Sequence, residues 1–254
     1  MSASPVRPGS EVGVIRALCA GLLILAACEA PPEECREADT APPVPEEPAP
    51  LPAVDNSIPE FLPVDQADES FRAFRDSTLA ALARKDTTYL YGMLAPDIRS
   101  SFGPDDGIDG FRRMWDIEDP DTRLWSELAR VLRMGGAFAG DSVFMAPYVY
   151  ALWPDTLDAF EFVAVTSPGA AVRSAPRTDA DTIGAASYGV LPLEKWRGMP
   201  DSTAEPDTSW AGVVLPDGRS GWLRSADVHS PVGWRAIFAR RDGRWLMTTF
   251  VAGD

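Results

Sequence analysis

Ten of the 24 prolines fall within residues 29–64 (EAPPEECREADTAPPVPEEPAPLPAVDNSIPEFLPV). Proline lacks a backbone N–H and holds φ at about −65°, so this density forbids a helix or a central strand. The few apolar side chains between the prolines have no period. Burial therefore cannot offset the entropy of ordering, and the segment is predicted to be an extended, disordered tether. Pro-rich chain advances ~3.1 Å per residue, enough to hold a domain tens of ångströms from its origin. Folding is left to the part that follows, which is long enough for one large or two small domains.

The charge is distributed in the same uneven way. The chain carries 23 Lys and Arg against 38 Asp and Glu, a net charge of −15. A protein this acidic repels phosphate backbones, which argues against a nucleic-acid partner. Residues 29–70 hold twelve acidic residues and one arginine, whereas 25 acidic and 20 basic residues follow from residue 71 onward. Most of the acidity belongs to the tether. The remainder is mildly acidic and, at 45% hydrophobic residues over the whole chain, able to bury a core.

The amino terminus specifies a compartment. Arg7 and Arg16 precede an apolar run at residues 17–27 (ALCAGLLILAA), which ends at Cys28. About a dozen apolar residues are too few for a span, which needs about twenty, but they fit the apolar region of a secretory signal. Leu25-Ala26-Ala27-Cys28 resembles the lipobox of bacterial lipoproteins. That resemblance implies cleavage after residue 27 and fatty acylation of Cys28, palmitate included, which would anchor the protein to a membrane. Glu29 stands where the inner-membrane retention signal of such proteins has Asp, so outer-membrane anchoring facing the periplasm is expected. Cys35 is then left as either a solvated linker thiol or a partner in an intermolecular disulfide.

Beyond the tether, residues 65–159 read as a helical α+β body. Phe71, Phe74, Thr78, Leu79 and Leu82 recur at helical spacing, and residues 87–94 form a second short helical run. Asp109 is placed to cap a turn carrying Phe111, Met114 and Trp115. Asp119-Pro120 predicts the start of a helix that presents Leu124, Trp125, Leu128, Val131 and Leu132 and stops at Gly135-Gly136. Residues 142–152 (SVFMAPYVYAL) read as one strand, at an edge or bulged because of Pro147.

After Phe160 the pattern changes to short strands punctuated by turns about every ten residues, the mark of a small β-barrel. The order VRSAP, a Tyr188-Gly189 turn, Trp210 with Val213, PDGRSGWL and then SADV resembles a bacterial SH3 domain. It covers residues 160–229. The resemblance implies Gly221-Trp222 in a central strand, a one-turn 3-10 segment at 225–228, and peptidoglycan stem peptides as the first ligand class. Residues 197–209 are a polar insert in this copy. Residues 230–254 read as a hairpin in which Trp234, Ala236 and Phe238 alternate with polar residues and Asp242-Gly243 supplies the turn. The hairpin also resembles the closing strands of nuclear-transport-factor-2-like domains. A hairpin alone is marginal, so it is expected to complete the 65–159 body, with the SH3-type barrel inserted between them.

Catalytic chemistry has little material. The wall peptidases that carry SH3-type domains need a Cys–His pair, but Cys35 lies in the tether and the single histidine, His229, closes the barrel in a surface turn. No G-x-S-x-G elbow is present. Asp105, Asp106 and Asp109 crowd one Gly-rich loop without calcium-loop spacing, and turn chemistry accounts for them. Asp97 with Glu127 is the residual acid pair, of unknown separation. No cofactor, metal or catalytic residue is assigned. Aromatics offer a better lead, because flat rings bind sugars, prolines and peptides at low entropic cost. Tyr188, Trp196, Trp210 and Trp222 fall within the SH3-type segment, with Tyr188 and Trp196 the expected exposed pair. The expectation is a noncatalytic envelope lipoprotein binding a peptidoglycan peptide or an envelope protein. A small-molecule pocket of the nuclear-transport-factor-2 type, and an envelope hydrolase using acidic residues, remain the alternatives.

Overall fold

The computed structural model describes residues 60–104, 107–197 and 209–253. The expected signal, Cys28, Cys35, most of the expected tether, Asp105, Asp106 and most of the expected 197–209 insert lie outside the described residues. Helices and strands alternate irregularly along the chain, giving an α+β fold with two sheets. No helix among the described residues is long and apolar enough to cross a membrane.

Helix α1 (Glu69–Ala83) begins where the Asp68 carboxylate accepts the Phe71 N–H at 2.7 Å, satisfying a donor that has no partner within the helix. Asp86 does the same for α2 (Thr87–Met93) through Tyr89 N–H at 2.9 Å. The chain then leaves as strand β1 (Leu94–Arg99), which local pattern did not reveal. Helices α3 (Gly107–Trp115) and α4 (Leu124–Arg133) follow. Asp119-Pro120 does not start α4. Asp119 instead closes a turn by accepting the Asp121 N–H, and the helix begins at Leu124. After a short β2 (Ala137–Phe138), the predicted 142–152 strand is divided at Pro147 into β3 (Val143–Ala146) and a single helical turn, α5 (Tyr148–Ala151).

Strands β4 (Phe162–Val165), β5 (Ala170–Arg173), β6 (Thr182–Ala186), β7 (Val190–Arg197), β8 (Trp210–Val214), β9 (Ser220–Arg224) and β10 (Val228–His229) come next, with a 3-10 turn at Ser225–Asp227 between the last two. The chain closes with β11 (Arg235–Arg241) and β12 (Arg244–Val251). Their two-residue turn places Asp242 at φ 50° and Gly243 at φ 76°, the left-handed pair that matches strand twist in a tight hairpin.

One sheet has the order β1-β12-β11-β3-β2. The carboxy-terminal hairpin is thus its centre, antiparallel to β3 (Phe238↔Phe144) and parallel to β1 (Leu94↔Met247). The helices cover one face. Phe71 of α1 stacks on Phe144 with centroids 3.9 Å apart and meets Phe238 and Trp245 edge-on at 5.3 and 5.1 Å.

The second sheet runs β10-β4-β7-β8-β9-β5-β6. Strand β7 pairs with β4 through its first half and with β8 through its second, shifting register between Leu193 and Lys195. This folds the sheet over a core that includes Val163, Val172, Leu191, Val213, Leu223 and Val228. The ladder is open, with β10 and β6 at its two ends, where the sequence predicts a closed barrel. The chain turns from β6 into β7 at Tyr188, φ 41°, and β6 pairs only with β5.

Residues 60–66 run across both sheets. Phe61 N–H donates to the Tyr188 carbonyl at 2.6 Å, and Gln66 N–H to the Gly136 carbonyl at 2.9 Å. Arg75 forks onto Asp65 at 2.8 and 2.7 Å, holding the Asp65 carboxyl below its ordinary range.

Candidate ligand-binding face

Directly opposed residues in a ladder share one face, and neighbours along a strand alternate. The registers Lys195↔Gly212, Gly212↔Trp222 and Trp222↔Arg173 therefore form one row across β7, β8, β9 and β5. The registers Arg197↔Trp210 and Trp210↔Arg224 form the next row on the same side. Intervening residues Ala211, Val213, Leu223 and Val172 point the other way, into the core. The outer side thus interleaves four cations with two indoles.

Gly212 makes the first row possible. A Cβ there would meet Trp222 Cζ3 at 3.2 Å and Lys195 Cγ at 3.3 Å, so the indole packs closely against the bare strand. Lys195 Nζ sits 5.4 Å from the Trp222 ring centroid, within range of a cation–π attraction. Arg173 Nη1 donates to the Ala180 carbonyl at 3.0 Å and to Thr182 Oγ1 at 2.9 Å, partners that carry no charge. Arg224 Nε donates to Asp227 Oδ2 at 3.1 Å. Trp210, Arg173, Arg224 and Asp227 line a cleft of about 360 Å3, with Pro168 and Thr178 at its rim. A second, shallower groove of about 320 Å3 lies between α1 and the end of α4, beside the Asp65–Arg75 pair.

The four aromatics nominated from sequence separate. Trp210 and Trp222 share the face, although Trp210 is only 4% exposed and serves as a floor. Trp196 opposes Ala211 and packs, half-buried, against the core side. Tyr188 is half-buried at the joint, where its carbonyl receives Phe61 and its side chain approaches Tyr148. Burial first, and Tyr188 second, push the Tyr148 hydroxyl up to about 12. The expected exposed pair, Tyr188 and Trp196, therefore does not form a surface. Alternation hides the cations from motif reading, although Lys195 and Arg197, two apart in a strand, carry a period-two signal that a face analysis would have found.

The chemical candidates are accounted for in other ways. Exposed Asp97 pairs with Arg241 at 2.6 Å, which lowers its carboxyl pKa. Glu127 is buried, with Arg123 at 3.6 Å. Asp109 lies in the first turn of α3. His229 is not in a surface turn. It is 3% exposed in β10, and burial, then the adjacent Arg130, hold it well below its ordinary range and therefore neutral.

Arg130 is the residue that sequence reading overlooked altogether. From α4 it donates to the Ser225 carbonyl at 3.0 Å and the Val228 carbonyl at 2.6 Å, gripping both ends of the turn that carries Asp227 into the cleft. Its Nη1 lies 3.2 Å from His229 Nδ1, and His229 Nε2 donates to the Trp234 carbonyl at 3.1 Å.

No family model matches the chain, and no curated protein or solved structure matches it either.

Proposed function

We propose that the protein is a noncatalytic cell-envelope lipoprotein, anchored through acylated Cys28 at the periplasmic side of the outer membrane. Its SH3-type module binds a peptidoglycan peptide or an envelope protein across the β7-β8-β9-β5 face. One observation carries this reading: Trp222 packs against Gly212 beside a cleft lined by Trp210, on a face bordered by four cations. An aromatic platform with polar groups at its margin suits recognition of a flexible chain. The 3-10 turn at Ser225–Asp227 and the placing of Gly221-Trp222 within β9 agree with what the SH3 resemblance implies.

The test is co-sedimentation of the chain with purified peptidoglycan. Pelleting that falls at least ~tenfold in Trp222→Ala, with an unchanged melting temperature, is the expected result, since a stacking residue of this kind contributes about 2 kcal/mol. Protein that stays in the supernatant, with no envelope protein cross-linked to it in cells, refutes the reading.

A second reading has its own observation. Trp115 and Trp125 Nε1 are buried without a hydrogen-bond partner among the described residues. Orphaned donors of this kind suit a polar small molecule or water between helices and sheet, as a nuclear-transport-factor-2-like pocket would hold. Against it, Trp115, Trp234 and Phe250 already fill that end of the body, with neighbouring centroids 4.6 to 5.2 Å apart.

A further inference from the structure

We infer that the ligand of the β7-β8-β9-β5 face is an acidic peptide, bound extended and held by its carboxylates; this rests on the reading of that face as the binding surface.

The first argument is charge against background. From residue 71 onward acidic residues outnumber basic ones by 25 to 20, yet this face presents Lys195, Arg197, Arg173 and Arg224 together. Among the described residues, the two carboxylates that hydrogen-bond on this face are both engaged. Asp227 is taken by Arg224, and Glu194 accepts the Ser220 hydroxyl at 2.8 Å. Lys195 and Arg197 are exposed, and among the described residues neither has a carboxylate partner. Cations left uncompensated in an acidic protein are a local exception to its field.

The second argument is spacing. Lys195 and Arg197 are two apart on one strand, so their side chains repeat at ~6.7 Å along β7. An extended peptide repeats its same-side carboxylates at that interval, so Glu-x-Glu or Asp-x-Glu lies in register with them. Arg173 and Arg224 extend the cationic rows across the sheet, and Arg guanidinium is the group best suited to carboxylate by its fork geometry. Trp222 lies between Lys195 and Arg173, where it can cover the peptide's apolar atoms. A dense polyphosphate is disfavoured, because the whole-molecule charge opposes it at a distance. A short acidic peptide brings few charges and meets only the local field.

The experiment uses the full chain in detergent and a short fluorescent peptide of alternating Glu and Ser, read by anisotropy, alongside peptidoglycan pelleting. Saturable binding is expected, weakened at least ~tenfold between low salt and ~0.5 M salt. Lys195→Glu/Arg197→Glu should reduce it at least ~tenfold without lowering the melting temperature, and Arg84→Glu on the helical side should leave it unchanged. The Glu-Ser peptide left unbound while peptidoglycan still pellets overturns the ligand chemistry but spares the binding face. Loss of both overturns the face as well. Equal binding of a single-stranded oligonucleotide, or indifference to the double variant, also overturns the acidic-peptide assignment.

Discussion

Arg130 joins the two sheets through a contact that no motif announces. Its guanidinium leaves α4 to reach the Ser225 and Val228 carbonyls, and it neighbours the unprotonated Nδ1 of His229. Because His229 Nε2 donates to Trp234 O, protonation would place a second cation against Arg130 with no acceptor between them. The unfolded chain takes up that proton as pH falls below about 6.5, whereas the folded chain resists it, so stability must fall with pH from that point downward. His229→Gln should flatten the decline, as measured by melting temperature from about pH 7.5 to about pH 5. Asp65, lowered by Arg75, adds a separate loss only below about pH 4. Arg130→Met should destabilise by about 2–3 kcal/mol in denaturant titration, since two part-buried hydrogen bonds from a charged donor are lost. Gly221 is constrained differently: a Cβ there would collide with Val172 Cγ1, so Gly221→Ala should cost about 1–3 kcal/mol by overpacking.

Among the elements, the carboxy-terminal hairpin bears the widest responsibility. It lies at the centre of the five-stranded sheet, and Ala236, Phe238, Met247 and Phe250 form much of the surface on which the helices pack. Deleting residues 233–254 should therefore melt the helices, seen as a loss of helical circular dichroism; a truncated protein with unchanged helical signal would contradict this. The hairpin itself was legible from Asp242-Gly243 and the alternation around it, because a two-residue turn is a local device. Strand β1 was not. LAPDIR contains a proline and two charges, and it becomes a strand only because β12, about 150 residues further on, offers a parallel edge. The start of α4 was misplaced for a related reason. Asp119-Pro120 has the composition of a helix start, but Asp119 spends its carboxylate on Asp121 in a turn, and the helix starts four residues later.

At the scale of the whole molecule, the acidic, Pro-rich stretch of sequence separates the proposed anchor, Cys28, from the proposed binding face. Cys28→Ser should move the protein from the membrane fraction to the soluble fraction of the envelope, as read by fractionation; retention in the membrane would contradict acylation at that residue. Sequence by itself determined the features that depend on neighbours in the chain: the Pro-rich segment, the apolar run before Cys28, the helical spacing of α1, the strand-and-turn rhythm after Phe160, and the Asp242-Gly243 turn. Tertiary structure alone decided which residues meet. It set Lys195 beside Trp222, turned Trp196 inward, buried His229 against Arg130, and made the last strands the middle of a sheet begun at residue 94. The physical reason is common to all four. Caps and turns are satisfied within a few residues, whereas the side a strand residue faces is fixed only when its partner strand and register are chosen.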